Sequence, residues 1–242
     1  CYSKDHDHEI PMNRQTHAQN IFRVIQNIKK KYPNILIEAH DRGVSNQLYY
    51  QHNLPHSFDE NWGFECMWNP MQDLISHRAF QLYEYNLAYS IPLYLHINEN
   101  SDNENMLQFW WYSSVARHIG IGGLNDTNSA KYRALKNAII LYKKIKHILT
   151  RGTFYGIDPM IHLHVAEDTG NGVILAFNLT SRNKKVDIKI NAPQFDLHFQ
   201  TIELVSGTNQ KIDLISKFHD PKKILEFEIV IPPLSPIIAI LK

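Results

Sequence analysis

Apolar positions along this chain recur with two periods, and the point where one gives way to the other divides it. Residues 63–97 carry the clearest unit. Residues 63–68 are an apolar-aromatic run too short for a helix and read as a strand. Asn69-Pro70 then supplies an N-cap and a proline at the first helical position. Met71, Leu74, Ile75, Ala79, Leu82, Tyr83 and Leu87 share one helical face. Pro92 opens a second apolar run, PLYLHI. Strand, crossover helix and strand make a βαβ unit whose strands lie parallel.

The same grammar holds on either side. Residues 14–32 place Ala18, Ile21, Phe22, Ile25 and Ile28 on one stripe and end in a basic turn before Pro33. NILIEAH, residues 34–40, reads as a buried strand. Residues 42–62 show no helical period and contain Gly43 and Pro55, so they read as a long loop. Ser101 to Glu104 resembles a capping box. It opens a helix carrying Met106, Leu107, Trp110, Trp111 and Val115. IGIGG is a short strand with a glycine turn. Thr127 or Asn128 caps a last long helix with Leu135, Ala138, Ile139, Tyr142, Ile145 and Leu149 on one face. Strands therefore recur at roughly 30-residue intervals, the spacing of a strand–helix barrel. Beyond Gly152 the helical period disappears. MIHLHVA, VILAFNL, VDIKI, ILEFEIVI and their neighbours alternate with period two between turn residues, as in an antiparallel β-sandwich. The fold class expected is α/β: residues 1–150 as the C-terminal half of a (β/α)8 TIM barrel, and residues 151–242 as a β-sandwich.

Composition narrows the function classes. With 43% hydrophobic and 20% charged residues the chain can bury a core. A net charge of +1 without a basic run lacks the footprint of a nucleic-acid binder. The most apolar tail, IPPLSPIIAILK, is short and broken by prolines, so no membrane span is expected. Cys1 and Cys66 make no disulfide framework, and Cys66 reads as a small buried hydrophobe. Starting at Cys1, the chain reads as a fragment or processed product.

Candidate chemistry gathers at the carboxyl ends of the strands, where parallel α/β sheets keep their sites. Glu38, His40 and Asp41 close the 34–40 strand, and Asp73 follows the 63–68 strand. His96, Asn98 and Glu99 close the next. Glu65 is a carboxylate inside an otherwise apolar strand. Two carboxyl groups on different elements suit glycoside cleavage, one protonating the leaving oxygen and the other attacking or activating water. The structural alternatives are Asp73 as first-turn helix charge and Glu65 paired with Arg78. Trp62, Trp68, Trp110, Trp111 and Tyr94 offer stacking surfaces for sugar rings, or core. His162 and His164 share one face of a sandwich strand and are expected to point outward. Asp5, His6, Asp7 and His8 alternate in a polar loop without metal-ligand spacing, and no metal is expected there. Asn178-Leu-Thr and Asn125-Asp-Thr match the glycosylation sequon.

Three segments carry a resemblance. NILIEAHD, then Trp68 with Arg78, Gln81 and the run to Pro92, then YKKIKHILTRGTFYGI resemble the C-terminal part of α-galactosidase-like (melibiase-type) glycoside hydrolases. In that family they correspond to the fifth strand, the sixth strand with its helix, and the exit into a C-terminal sandwich. The resemblance implies a retaining hydrolase acting on a carbohydrate substrate without cofactors. The resemblance also implies that the nucleophile and the N-terminal half of the barrel lie upstream of Cys1. Placement at the strand ends, and not the family motif, makes Glu65 and Asp73 the catalytic candidates and Glu38, His40, Asp41, Trp68 and His96 the substrate-binding candidates. Where the family has its acid/base aspartate, three residues after the tryptophan, this chain has Met71. A non-catalytic carbohydrate-binding or structural relative is the alternative, and a metal-dependent hydrolase using His40, Asp41 and the Asp/His loop is a third reading.

Overall fold

The computed structural model describes residues 5, 14–33, 35, 57–58, 69–89, 93–116, 118–212 and 224–242. A first helix, α1 (Arg14–Lys31), ends on Lys29, Lys30 and Lys31, as its sequence predicts. Three parallel strands follow: β1 (Ser57–Phe58), β2 (Leu93–Asn98) and β3 (His118–Gly122), in that spatial order. β1 lies inside the stretch read as loop. Two residues are too few to leave a period in the sequence, and only their pairing with Leu93 and Tyr94 marks them as strand. The strand expected at residues 63–68 lies outside the described residues.

The helix expected from Met71 to Leu87 is two helices, α2 (Pro70–Ile75) and α3 (Phe80–Tyr89). Asn69 caps α2 as expected, accepting from the Gln72 N–H at 3.0 Å. The break falls at His77, whose φ of 64° is left-handed and cannot continue a helix. The Ala79 N–H folds back onto the Asp73 carbonyl at 3.0 Å. Hydrophobic spacing did not reveal the break because Leu74, Ala79 and Leu82 reach the same core on both sides of it.

Helix α4 (Leu107–Ala116) is buried on every face, including Gln108, Ser113 and Ser114. A helix with no wet side sits between packed layers. Here the parallel strands, α3 and the antiparallel strands surround it. It starts later than the expected capping box. Asp102 caps it from a distance, its Oδ1 accepting from the Gln108 N–H at 3.0 Å and its Oδ2 from the Phe109 N–H at 2.9 Å. Helix α5 (Ala130–Arg151) is capped by Ser129, whose hydroxyl accepts from the Tyr132 N–H at 3.1 Å. The expected caps, Thr127 and Asn128, stand in the preceding turn.

Among the described residues from Thr153 onward the regular elements are strands and one short 3-10 turn: β4 (Thr153–Asp158), β5 (Ile161–Val165), β6 (Gly172–Asn178), β7 (Lys184–Asn191), β8 (Ile202–Ser206), β9 (Lys211–Ile212), β10 (Ile224–Ile231) and β11 (Ser235–Leu241). Six form one antiparallel sheet in the order β4-β5-β6-β11-β8-β9, and β7 pairs with β10 in a second. β7 and β10 alternate buried and exposed residues, so one face is wet. β6 and β11 are buried along their whole length. Ile174, Ala176, Ile237 and Ala239 pack toward the β7–β10 pair, while Val173, Leu175, Phe177, Ile238 and Ile240 pack with α4 and α5. Their unbroken apolar sequences follow from having two cores to fill.

Candidate functional site

At the carboxyl end of β2 the chain turns sharply. Asn98 Oδ1 accepts from the Asn100 N–H at 3.0 Å, and the Asn98 carbonyl accepts from Gln108 Nε2 at 3.0 Å. At the neighbouring end of β3, Gly123 has a φ of 96°, and a Cβ there would collide with the Asn98 side chain. Only glycine fits this junction of two strand ends.

Glu99 and Asp102 follow β2 and are both buried. Asp102 accepts three backbone N–H groups, from Asn103 at 2.8 Å and from Gln108 and Phe109. Burial raises its carboxyl, and those three donors hold it back toward the ionised form. Glu99 is pushed well above the usual carboxylate range, by burial first and then by the Asp102 carboxylate; Lys131 opposes this in part. A proton shared by the pair therefore resides on Glu99. Glu99, just past β2, shares full burial with Leu95 and Ile97 of that strand. Above pH 4.5 the unfolded chain loses this proton while the folded chain keeps it, so the group costs stability as pH rises. Glu99→Gln, with the shape of the neutral acid, should be more stable than the parent at pH 7–8 and converge with it near pH 4. Urea unfolding at both pH values checks this.

Of the residues expected to bind or cleave substrate, Glu38, His40, Asp41, Glu65 and Trp68 lie outside the described residues. His96 is in β2, its backbone opposite Gly120 of β3. Asp73 stands in the first turn of α2, 15% exposed, with its Oδ1 3.8 Å from Arg78 Nη1. Arg78, which the structural alternative paired with Glu65, pairs here with Asp73, while Glu65 lies outside the described residues. The guanidinium is 68% exposed, so the pair contributes little stability. The Tyr112 hydroxyl donates to the Pro70 carbonyl at 3.0 Å. It is pushed well above its ordinary value by burial first and by the Asp73 carboxylate second. Trp110 and Trp111 are completely buried and belong to the core rather than to a sugar platform.

The sequence reading missed a polar cluster. His162 and His164 point inward, not outward, because β5 has α4 and α5 packed on that face. Ser114 Oγ of α4 is 2.8 Å from both His162 Nδ1 and His164 Nε2, and His162 Nε2 is 3.1 Å from the Pro159 carbonyl. A carbonyl only accepts, so His162 carries its proton on Nε2 and accepts at Nδ1 from the serine hydroxyl. Ser114 then accepts from His164 Nε2. The bonds run one way, from His164 through Ser114 and His162 to Pro159. Tyr83, Phe154 and Phe177 surround His162 with ring centroids at 5.2–5.4 Å. Burial lowers its pKa to about 3, so it is neutral at physiological pH. With no solvent access at either histidine, the cluster joins α4 to β5 and offers no nucleophile. Its sequence signal was the Ser113-Ser114 pair inside a helix otherwise dominated by apolar and aromatic residues.

No family model matches the chain, and no curated protein matches it in sequence. Solved structures do match its fold. An α-amylase from Anoxybacillus aligns over 95% of this chain and 56% of its own, with a TM-score of 0.57 and 13% identity. A GH27 β-L-arabinopyranosidase from Geobacillus stearothermophilus aligns over 94% and 55%, at 0.55 and 12%. α-Galactosidase I from Mortierella vinacea aligns over 95% and 64%, at 0.53 and 9%. The chain spans between half and two thirds of these proteins. It shares its fold with part of TIM-barrel glycoside hydrolases that carry a C-terminal β domain. The three parallel strands form no closed barrel among the described residues.

Proposed function

We propose that this chain is the C-terminal part of a retaining, α-galactosidase-like glycoside hydrolase. Residues 1–150 supply one arc of a (β/α)8 barrel and residues 151–242 a β-sandwich. The observation that carries this is one fold shared along nearly the whole chain with an α-galactosidase, an arabinopyranosidase and an α-amylase. Glu65 and Asp73 are the leading acid/base candidates. Glu38, His40, Asp41, Trp68 and His96 hold the sugar. The nucleophile comes from a strand outside these residues, and carboxyl chemistry of this kind requires no cofactor.

The 242-residue chain should leave nitrophenyl α- and β-glycosides at the spontaneous rate. The chain extended upstream along its reading frame should hydrolyse one of them. Glu65→Gln or Asp73→Asn should then lower kcat by about a hundredfold or more, the usual effect of losing a general acid. Turnover by the 242 residues alone, abolished by either substitution, would place a complete site within them.

The Asp73–Arg78 pair and Met71 favour a second reading, a non-catalytic carbohydrate-binding relative. An extended chain that binds a sugar and never turns it over would select it.

A further inference from the structure

At the free edge of the six-stranded sheet, where β4 meets the β5–β6 turn, lies a cavity of about 440 Å³. That volume falls within the range of small-ligand sites. Two of its lining residues are aromatic. Tyr155 and Phe195 meet edge to face at 4.8 Å, both half-buried and packed against the sandwich core, so their orientation is fixed before any ligand arrives. Its rim is polar: Glu167, Asp168 and Asp196 supply carboxylates, Thr153 and Thr169 hydroxyls, and His198 a ring.

The rim is built by local backbone constraints. Gly170 has a φ of 68°, and a Cβ there would stand 2.5 Å from the His198 ring and 2.9 Å from the Asp196 carbonyl, so glycine lets the turn close against the 196–198 segment. The His198 N–H donates to the Gly170 carbonyl at 2.8 Å and fixes that contact. Asp196 is itself left-handed at φ 51°, ending the short 3-10 turn of residues 192–195. Glu167 Oε1 accepts the Thr153 hydroxyl at 3.3 Å. Asp168 and Asp196 are exposed.

Three carboxylates repel an anionic ligand, and a purely apolar one would leave them stripped of water. A ligand that suits both surfaces has an apolar C–H face for the rings and several hydroxyl donors for the carboxylates. We propose that this cavity is a saccharide-binding subsite, separate from the strand-end site, in which one sugar ring lies against Tyr155 and Phe195 and its hydroxyls donate to Asp168, Asp196 and Glu167. The choice of a saccharide over another polyol rests on the hydrolase reading; the cavity and its chemistry do not. Among the described residues no group of three or more His, Cys, Asp or Glu is arranged to hold a metal ion, so a divalent cation is not the occupant argued for.

The test is calorimetric titration of the 242-residue chain with galactose, arabinose and maltotriose, and separately with Ca²⁺. One of the sugars should bind weakly, with a dissociation constant of ~1 mM. The double substitution Asp168→Asn and Asp196→Asn alters only exposed carboxylates and should leave the melting temperature unchanged. It should weaken binding about tenfold, and Phe195→Ala should abolish it. Sugar binding lost in these variants, with no glycoside turnover in the extended chain, would keep the subsite and discard the hydrolase. Turnover with no sugar bound by the 242-residue chain, or binding indifferent to the double substitution, would overturn the subsite. Binding of Ca²⁺ alone, lost in the double variant, would also overturn it.

Discussion

In a Glu99→Gln background, lowering the pH from 6.5 to 4 should cost the protein about 3 kcal/mol through His162 alone. The group is held neutral in the fold, with its pKa near 3 against 6.5 for an unrestrained imidazole. Between those values the unfolded chain binds a proton that the folded chain refuses, so stability is complete above pH 6.5. It is lost at roughly 1.4 kcal/mol per pH unit as acid is added, until about pH 3. Among the described residues, Ser114, Tyr83, Phe154, Trp111, Phe177 and the Pro159 carbonyl face the ring, and none brings a carboxylate to welcome the charge. A proton on Nδ1 would also take away the lone pair that accepts the Ser114 hydroxyl, leaving the serine to donate only after His164 changes tautomer. The background matters because Glu99 titrates in the opposite sense, gaining relative stability as pH falls toward 4.5. His162→Gln in the same background should flatten the slope. Urea midpoints between pH 4 and 8 for both proteins decide it, and equal slopes would mean that His162 is protonated in the native state.

Asn178→Ala should be more damaging at neutral pH, by about 3–5 kcal/mol, a loss expected when a buried network is left unsatisfied on several sides. The Asn178 side chain is fully buried at the end of β6. Its Nδ2 reaches the carbonyls of Arg182, Ile231 and Pro232 at 2.7–3.0 Å, and its Oδ1 accepts from the Thr180 N–H and hydroxyl. Ile231 ends β10 in the two-stranded sheet, so one amide ties the two sheets together. Asp in its place would turn a donor toward three carbonyls into a charge facing them. Chemical denaturation of Asn178→Ala and of Asn178→Asp should show both losses, with the aspartate at least as unstable. The same bonds bear on the sequon at 178–180: in the folded protein its amide is enclosed and wholly engaged.

The parts of this fold that a period can encode were readable. α5 and the alternating strands β7 and β10 each face one core, and one face leaves one period. What escaped belongs to residues serving two masters or none. The break at His77 left the apolar stripe intact on both sides. β1 is a pair of residues whose strand character lies in its partner. His162 and His164 occupy alternating positions, and alternation says which residues share a face without saying which face is covered. Asp102 is separated from its N–H partners on α4 by six and seven residues, farther than a local capping pattern reaches. The candidate site was drawn from strand ends, and of its named members the structure describes Asp73, Asn98, Glu99 and the backbone of His96. Asp73 occupies the first-turn position that its place after Asn69-Pro70 allowed.

The enclosure of α4 has a consequence for how such a protein can change over time. Trp110 donates its indole N–H to the Gly207 carbonyl beyond β8, Trp111 to the Pro159 carbonyl before β5, and Ser114 joins the histidines of β5. A substitution on this helix is felt at once by the parallel strands and by the antiparallel sheet, and tolerance on one side says nothing about the other. The two regions are therefore not interchangeable cassettes. A sandwich borrowed from a relative would have to arrive with its matching α4, so the helix and the sheet it touches are inherited together, although more than thirty residues lie between α4 and β4.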